Sequence, residues 1–138
     1  MSGNEELHRQ GHEAFNRRDR EAIRALLSPG FTFTDHPRGL TMKTAEEYLD
    51  WLDEWTTGFP DALVSEARYV DAGNTTVAQY IGRGTNTGMM GPAIETGKRI
   101  SLPACEVFTY DERGLAITGE VYYDTYSMLL QLGLADAP

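Results

Sequence analysis

Asp124 stands where a strand-like run, Ile117, Gly119, Val121, Tyr122 and Tyr123, gives way to Tyr126, Met128, Leu129, Leu130, Leu132 and Gly133 at helical spacing. A carboxylate at the join of two apolar elements is poorly solvated, and poor solvation raises its pKa towards the range where it can take and return a proton. The same position is a favoured helix N-cap, where the backbone N–H of Tyr126 or Ser127 would bind the carboxylate and hold its pKa down. Thr125 can cap in its place, so both roles are open to Asp124.

A second carboxylate draws attention by parity. In the run from Lys98 to Tyr110, one face reads Ile100, Leu102, Ala104, Glu106, Phe108, Tyr110, so Glu106 is the single charge on an apolar face. Burying it alone would cost several kcal/mol. It must therefore pair with a base, with Arg83 and Arg68 as candidates, or stay protonated in a pocket; a buried pair that only fixes register is the plainer outcome. On the last strand, counting back by twos from Asp124 assigns Tyr122, Glu120 and Thr118 to the pocket and turns Ile117, Val121 and Tyr123 away.

Trp51, Trp55, Phe15, Phe33 and Tyr80 offer flat walls for a ligand, while Asp35, His36, Tyr122 and Glu106 could orient its oxygens. Simple core packing accounts equally for the Trp pair. Asp35 and His36 are adjacent and point to opposite faces if the strand persists, so at most one meets the cavity. His8 and His12, at i and i+4, could lie on one side of a metal, but no third ligand stands out and surface histidines are the expectation. Gly82, Gly84 and Gly88 follow a strand, yet Met89-Met90-Gly91-Pro92 cannot open the helix that a nucleotide phosphate needs. Cys105, with no His near it in sequence, reads as a packed thiol.

These residues need elements to hold them. Leu7, Gly11, Ala14 and Phe15 predict a helix from Asn4 to Asn16, and Asp19 caps a second with Ile23, Leu26 and Leu27 that stops at Ser28-Pro29-Gly30. Phe31 to Asp35 alternates as a short strand and turns at His36-Pro37-Arg38-Gly39. Thr44 and Glu47 form a capping box ahead of the stripe Tyr48, Trp51, Leu52, Trp55, Phe59. Strands follow at Leu63–Val70, Thr76–Arg83, Lys98–Tyr110 and Leu115–Tyr123, with turns at Asp71–Asn74 and Asp111–Gly114, before a last helix ends at Gly133. The irregular Gly84–Gly97 carries Met89, Met90, Pro92 and Ile94, apolar residues that fit a lid or a subunit contact. Three helices and then a run of strands closing on a short helix make an α+β fold, its curved antiparallel sheet wrapped around the helices with the pocket on the concave side.

The 138 residues are one domain, 1–138, with no repeat or linker. Twelve Lys and Arg against 21 Asp and Glu give a net charge of -9, which opposes nucleic acid and anionic membranes. One cysteine and no long apolar run point to the cytoplasm and to no membrane span.

The stretch Tyr122-Tyr123-Asp124, with Met128-Leu129-Leu130-Gln131-Leu132-Gly133 after it, resembles the C-terminal signature of SnoaL-like polyketide (ester) cyclases, within the nuclear-transport-factor-2-like superfamily. Upstream, His12-Glu13-Ala14-Phe15-Asn16 with Asp19, Phe31 to His36, and Thr96-Gly97-Lys98 resemble further motifs of the family. The resemblance implies a cone of helices closed by a bent antiparallel sheet, often dimeric, with Asp124 as acid and base in an intramolecular aldol ring closure. Gly119 and Glu120 replace the His-Trp pair common before that Asp, and Ala104-Cys105-Glu106 does not supply the Arg-x-Asp of the related limonene epoxide hydrolases.

The expected function is a polyketide-type cyclase that binds a hydrophobic small molecule, needs no metal or organic cofactor and forms a homodimer. An epoxide hydrolase-like or hydroxylating relative and a non-catalytic binding protein are the alternatives. Two carboxylates converging on one water would favour hydrolysis. An Asp124 consumed by capping and a Glu106 locked in an ion pair would favour the binder.

Overall fold

A computed structural model describes residues 3–138. Helices α1 (Asn4–Asn16) and α2 (Arg20–Arg24) lead into strand β1 (Leu27–Asp35), β2 (Leu40–Met42) and helix α3 (Ala45–Gly58). Strands β3 (Leu63–Ala72), β4 (Thr75–Thr85), β5 (Arg99–Tyr110) and β6 (Ala116–Tyr123) follow, then helix α4 (Thr125–Gln131). The expected caps form: Asp19 accepts the Ala22 N–H at 3.0 Å and Thr44 the Glu47 N–H at 3.1 Å. Glu47 reaches back to the N–H of Lys43 at 3.0 Å, closing the box one residue early.

The sheet order is β2-β1-β6-β5-β4-β3, and the fold is the α+β arrangement expected from the sequence. Every neighbouring pair is antiparallel except β1 and β6, which run parallel. Two local expectations fail together. The second helix stops at Arg24, and Ser28-Pro29-Gly30 lies inside β1. Proline cannot donate to a ladder, so this segment is passed as an irregularity between Leu27 and Thr32 with Pro29 and Gly30 exposed. A bulge between Ser65 and Arg68, with Glu66 at φ 52°, bends β3 on the other side of the sheet.

Curvature gives the sheet a concave face against which α1 and α3 pack. Phe31, Phe33, Tyr48, Leu49, Phe108, Tyr110 and Val121 form one buried cluster, and Phe59, Ile100, Leu102, Met128 and Leu132 a second. Gly119 belongs to the first in all but name. A Cβ built there would stand 2.2 Å from a Phe108 ring carbon and 2.7 Å from one of Phe33. The missing side chain at Gly119 is therefore what lets two phenylalanines meet over β6. Gly119→Ala should lower stability by about 1–3 kcal/mol, because an overpacked core must shift rings or backbone; an unchanged chemical-denaturation midpoint would show that the rings have room.

The segment 86–97 is not a lid. None of its residues lines the cavity described below. Buried Asn86 pins it, donating to the carbonyls of Gly58 and Gly88 at 3.0 Å each and accepting the Thr96 N–H at 2.8 Å. Met90 packs on the second cluster, whereas Met89 and Ile94 face outward.

Candidate active site

Between α1, α3 and the concave sheet face lies a largely apolar cavity of about 140 Å³. The parity argument for β5 holds in full: Ile100, Leu102, Ala104, Glu106, Phe108 and Tyr110 all line it. Phe15, Trp51, Trp55 and Tyr80 join them as expected. Phe33 and Asp35, both fully buried, sit outside the lining. Asp35 there accepts from Trp51 Nε1 at 3.1 Å, the Tyr123 hydroxyl at 3.0 Å and Arg38 Nε at 2.9 Å. It fixes two walls of the cavity without entering it.

The partners of Glu106 are not arginines. Arg83 is engaged by Glu66, Ser65 and Ser101, and Arg68 by Gln79. Instead, one carboxylate oxygen, Oε1, lies 2.8 Å from His8 Nε2 and 2.7 Å from His12 Nε2. Both histidines are buried, which overturns the expectation that they lie on the surface. Successive turns of α1 bring i and i+4 to one side of the helix, and that side faces the single charge of β5. The outer ring nitrogens are also held: His8 Nδ1 lies 2.8 Å from Thr76 Oγ1, and His12 Nδ1 lies 2.7 Å from the Tyr69 hydroxyl. An ionised Glu106 can only accept, so both Nε2 atoms carry hydrogens, and the Nδ1 of a neutral His8 accepts from the Thr76 hydroxyl.

The electrostatics follow from this packing. Burial pushes the Glu106 pKa up, but the charge and hydrogen bonds of His12 and His8 outweigh it and bring the group down to about 2. Burial holds the His8 pKa below its ordinary value, against the pull of Glu106. Tyr80 and Tyr48 are raised well above the phenol range by burial and then by the Glu106 charge, so both remain neutral donors. Both line the cavity, and neither hydroxyl has a hydrogen-bond partner among the described residues. Glu106 Oε2 is equally without one. The cavity thus holds one ionised carboxylate oxygen and two phenolic donors, all free for a guest.

Asp124 takes no part in this arrangement. Val121 and Tyr123 turn into the core and cavity, so Tyr122 and Asp124, one residue out of phase, turn outward. The alternation read from the sequence was correct, and the face assigned to the pocket was the wrong one. Exposed Asp124 caps α4, accepting the N–H groups of Tyr126 at 2.9 Å and Ser127 at 3.3 Å. His36 and Tyr122 stack outside as well, with ring centroids 4.5 Å apart, and His36 Nε2 lies 2.7 Å from Glu120. Asp124→Asn should keep the cap and leave any turnover within about twofold, while Asp124→Ala should cost about 1 kcal/mol of stability. Loss of turnover in a folded Asp124→Asn protein would return the chemistry to that residue.

The chain thus has an α+β fold of the nuclear-transport-factor-2-like kind, with an apolar cavity between helices and sheet. Residues 8–118 match the model of the SnoaL-like domain, and the chain belongs to that family. Among solved structures, a candidate SnoaL-like polyketide cyclase from Jannaschia sp. CCS1 is similar at 18% identity, with 96% of this chain and 93% of that one covered and a TM-score of 0.85. A protein with a ketosteroid isomerase-like fold from Catenulispora acidiphila, in complex with trimethylamine, gives 20%, 96%, 98% and 0.79. AclR, a candidate hydroxylase from Streptomyces galilaeus, gives 19%, 98%, 84% and 0.82. At these identities the likeness is one of fold. No curated protein sequence matches the chain.

Proposed function

We propose that the protein is an enzyme acting on a compact, apolar carbonyl compound by side-chain acid/base chemistry, with Glu106 as the proton-transfer group in place of Asp124. The observation that carries this reading is the free Oε2 of a buried, ionised carboxylate facing the same cavity as two unpartnered phenols. Glu106 Oε2 removes a proton from carbon alpha to a carbonyl, and the Tyr80 and Tyr48 hydroxyls donate to the enolate oxygen as charge develops there. The enolate carbon then attacks a second carbonyl of the same molecule, and the proton on Glu106 passes to the new alkoxide. Atoms balance with no other reactant: the step is an intramolecular aldol closure, the polyketide-cyclase type of reaction.

Size narrows the substrate. A cavity of about 140 Å³ is close to the roughly 150 Å³ that accommodates a benzene-sized guest. The reading therefore favours a short chain closing to a single ring over a fused polycycle. Tyr80→Phe and Tyr48→Phe remove one donor each without changing the ring that packs. Each should lower kcat by about a hundredfold to a thousandfold if its hydroxyl meets the oxyanion. Full activity in the double variant, assayed on short dicarbonyl compounds, would dispose of the oxyanion role.

A second reading, the non-catalytic binder, is favoured by the two observations expected of it: Asp124 is spent on capping α4, and Glu106 is fixed between His8 and His12. A group near 2 is a weak base, and a carboxylate fixed between two imidazoles also suits a cavity that binds without reacting. Unchanged ligand recovered after long incubation, with tight binding, would favour that reading. No second carboxylate lines the cavity among the described residues, which removes the support for a hydrolase that steers water between two carboxylates. A homodimer stays part of the proposal, with exposed Tyr122 and Tyr126 offering surface to a second copy, and sedimentation would measure it.

A further inference from the structure

We propose that His8, His12 and Glu106 also form a binding site for one divalent transition-metal ion of the zinc class, with its remaining coordination position open to the cavity. The inference rests on the geometry of the cluster and not on the catalytic reading above. One ring nitrogen each of His8 and His12 and a Glu106 oxygen lie within 4.8 Å of one another, both Nε2 atoms contact Glu106 Oε1, and all three side chains are buried. Two imidazoles and one carboxylate are a donor set that suits zinc, cobalt or iron and leaves room for a fourth ligand.

The spacing needs little change. Tetrahedral bonds of 2.0–2.1 Å separate neighbouring ligand atoms by about 3.3 Å. The Glu106 Oε1 contacts, now 2.8 and 2.7 Å, must therefore open by about half an ångström. Side-chain torsion supplies that without moving α1 or β5.

The second ring nitrogens decide whether the histidines can turn from donors to ligands. Coordination through Nε2 requires the hydrogen on Nδ1, so the groups facing Nδ1 must become acceptors. Those groups are hydroxyls, Thr76 for His8 and Tyr69 for His12, and a hydroxyl serves in either sense. Thr76 has somewhere to send its own hydrogen: the Tyr110 hydroxyl lies 3.4 Å from Thr76 Oγ1. Half-exposed Tyr69 can donate to water. A carbonyl or lysine at either place would have fixed one tautomer; two hydroxyls permit both. The protons balance in either state: a neutral imidazole moves its proton from Nε2 to Nδ1, and a protonated one releases the Nε2 proton to solvent and keeps that on Nδ1.

Reach and charge add to this. All three ligands line the cavity, which gives the ion a path, and the net charge of -9 draws cations to the protein. An ion on this cluster and proton transfer by Glu106 exclude one another, so the metal would act as an inhibitor of the chemistry proposed above.

The test uses the full chain and Zn²⁺ alone, with Mg²⁺ as a control, read by calorimetry and by melting temperature. One Zn²⁺ should bind per chain with a raised melting temperature, Mg²⁺ should not bind, and Co²⁺ should give the intense visible bands of a four-coordinate site. Tyr69→Phe and Thr76→Val leave the ligands intact and should weaken Zn²⁺ by about tenfold to a hundredfold. His36→Gln, which removes the only other histidine, should bind as the parent does. His12→Gln should abolish the site, with circular dichroism to establish that it folds. Absence of Zn²⁺ binding to the parent, binding lost with His36, or affinity untouched in Tyr69→Phe and Thr76→Val would each overturn the proposal. None of these readouts depends on a substrate, so they stand apart from the fate of the aldol reading.

Discussion

Glu106→Gln should lose turnover by about a hundredfold to ten-thousandfold while remaining folded and able to bind ligand. The amide is the same shape, and its oxygen can still accept from His8 Nε2 and His12 Nε2. What it loses is the anionic Oε2, whose place is taken by an NH₂ group that cannot accept a proton. Glu106→Ala makes a different prediction. It leaves two buried imidazole N–H groups unpartnered beside Phe108, on which His8 stacks at 4.6 Å, and should destabilise by about 3–5 kcal/mol. The pair of variants separates chemistry from structure. Full turnover in Glu106→Gln would remove the carboxylate from the mechanism, and equal stability of the Gln and Ala forms would show that the bonds to the histidines contribute little.

Stability should fall steeply in acid, through the same cluster. The folded state holds His8 neutral, with its pKa below the usual 6.5 because of burial. An unfolded chain protonates that group near 6.5, so this contribution is present above about pH 6.5 and is lost as pH falls below it. Glu106 adds to the loss lower down. Its pKa is about 2 when folded and near 4.5 when unfolded, so its contribution is complete above about 4.5 and disappears as pH falls towards 2. The interval corresponds to on the order of 3 kcal/mol. Both groups act with the same sign. Denaturant unfolding from pH 8 to pH 3 should show a decline starting near 6.5 that Glu106→Gln makes shallower below 4.5; a curve that rises on acidification contradicts both assignments.

What could be read from the chain was decided by periodicity, and what could not was decided by contact between distant elements. The helix at Asn4–Asn16, the stripe from Tyr48 to Phe59 and the isolation of Glu106 on β5 all follow from spacing alone. Parity along β6 was equally legible, but parity names two faces without saying which one is inside. Glu120 and Asp124 share the face that turned out to be solvated, whereas Val121 and Tyr123 carry the inner one. The apolar content of the two faces was the signal available: Val121 with Gly119 outweighs Thr118 with Glu120. The histidines posed the converse problem. His8 and His12 lie one place along from Leu7 and Gly11 on the same helix face, so their burial could have been read from the stripe. Their partner could not, because 94 residues separate His12 from Glu106 and only the packing of α1 on the sheet joins them. The strand through Ser28-Pro29-Gly30 was hidden for another reason: local turn chemistry spoke for a break, and the parallel pairing with β6 overrode it.

The most direct test of the account is a crystal structure of the protein with a short dicarbonyl ligand or whatever small molecule copurifies. The ligand should lie in the cavity between α1, α3 and β5, its acidic carbon about 3–3.5 Å from Glu106 Oε2 and its oxygen within hydrogen-bond reach of the Tyr80 or Tyr48 hydroxyl. A ligand seated on the outer face against Tyr122 and Asp124, or one inside the cavity with its carbonyl turned away from both phenols, would contradict it.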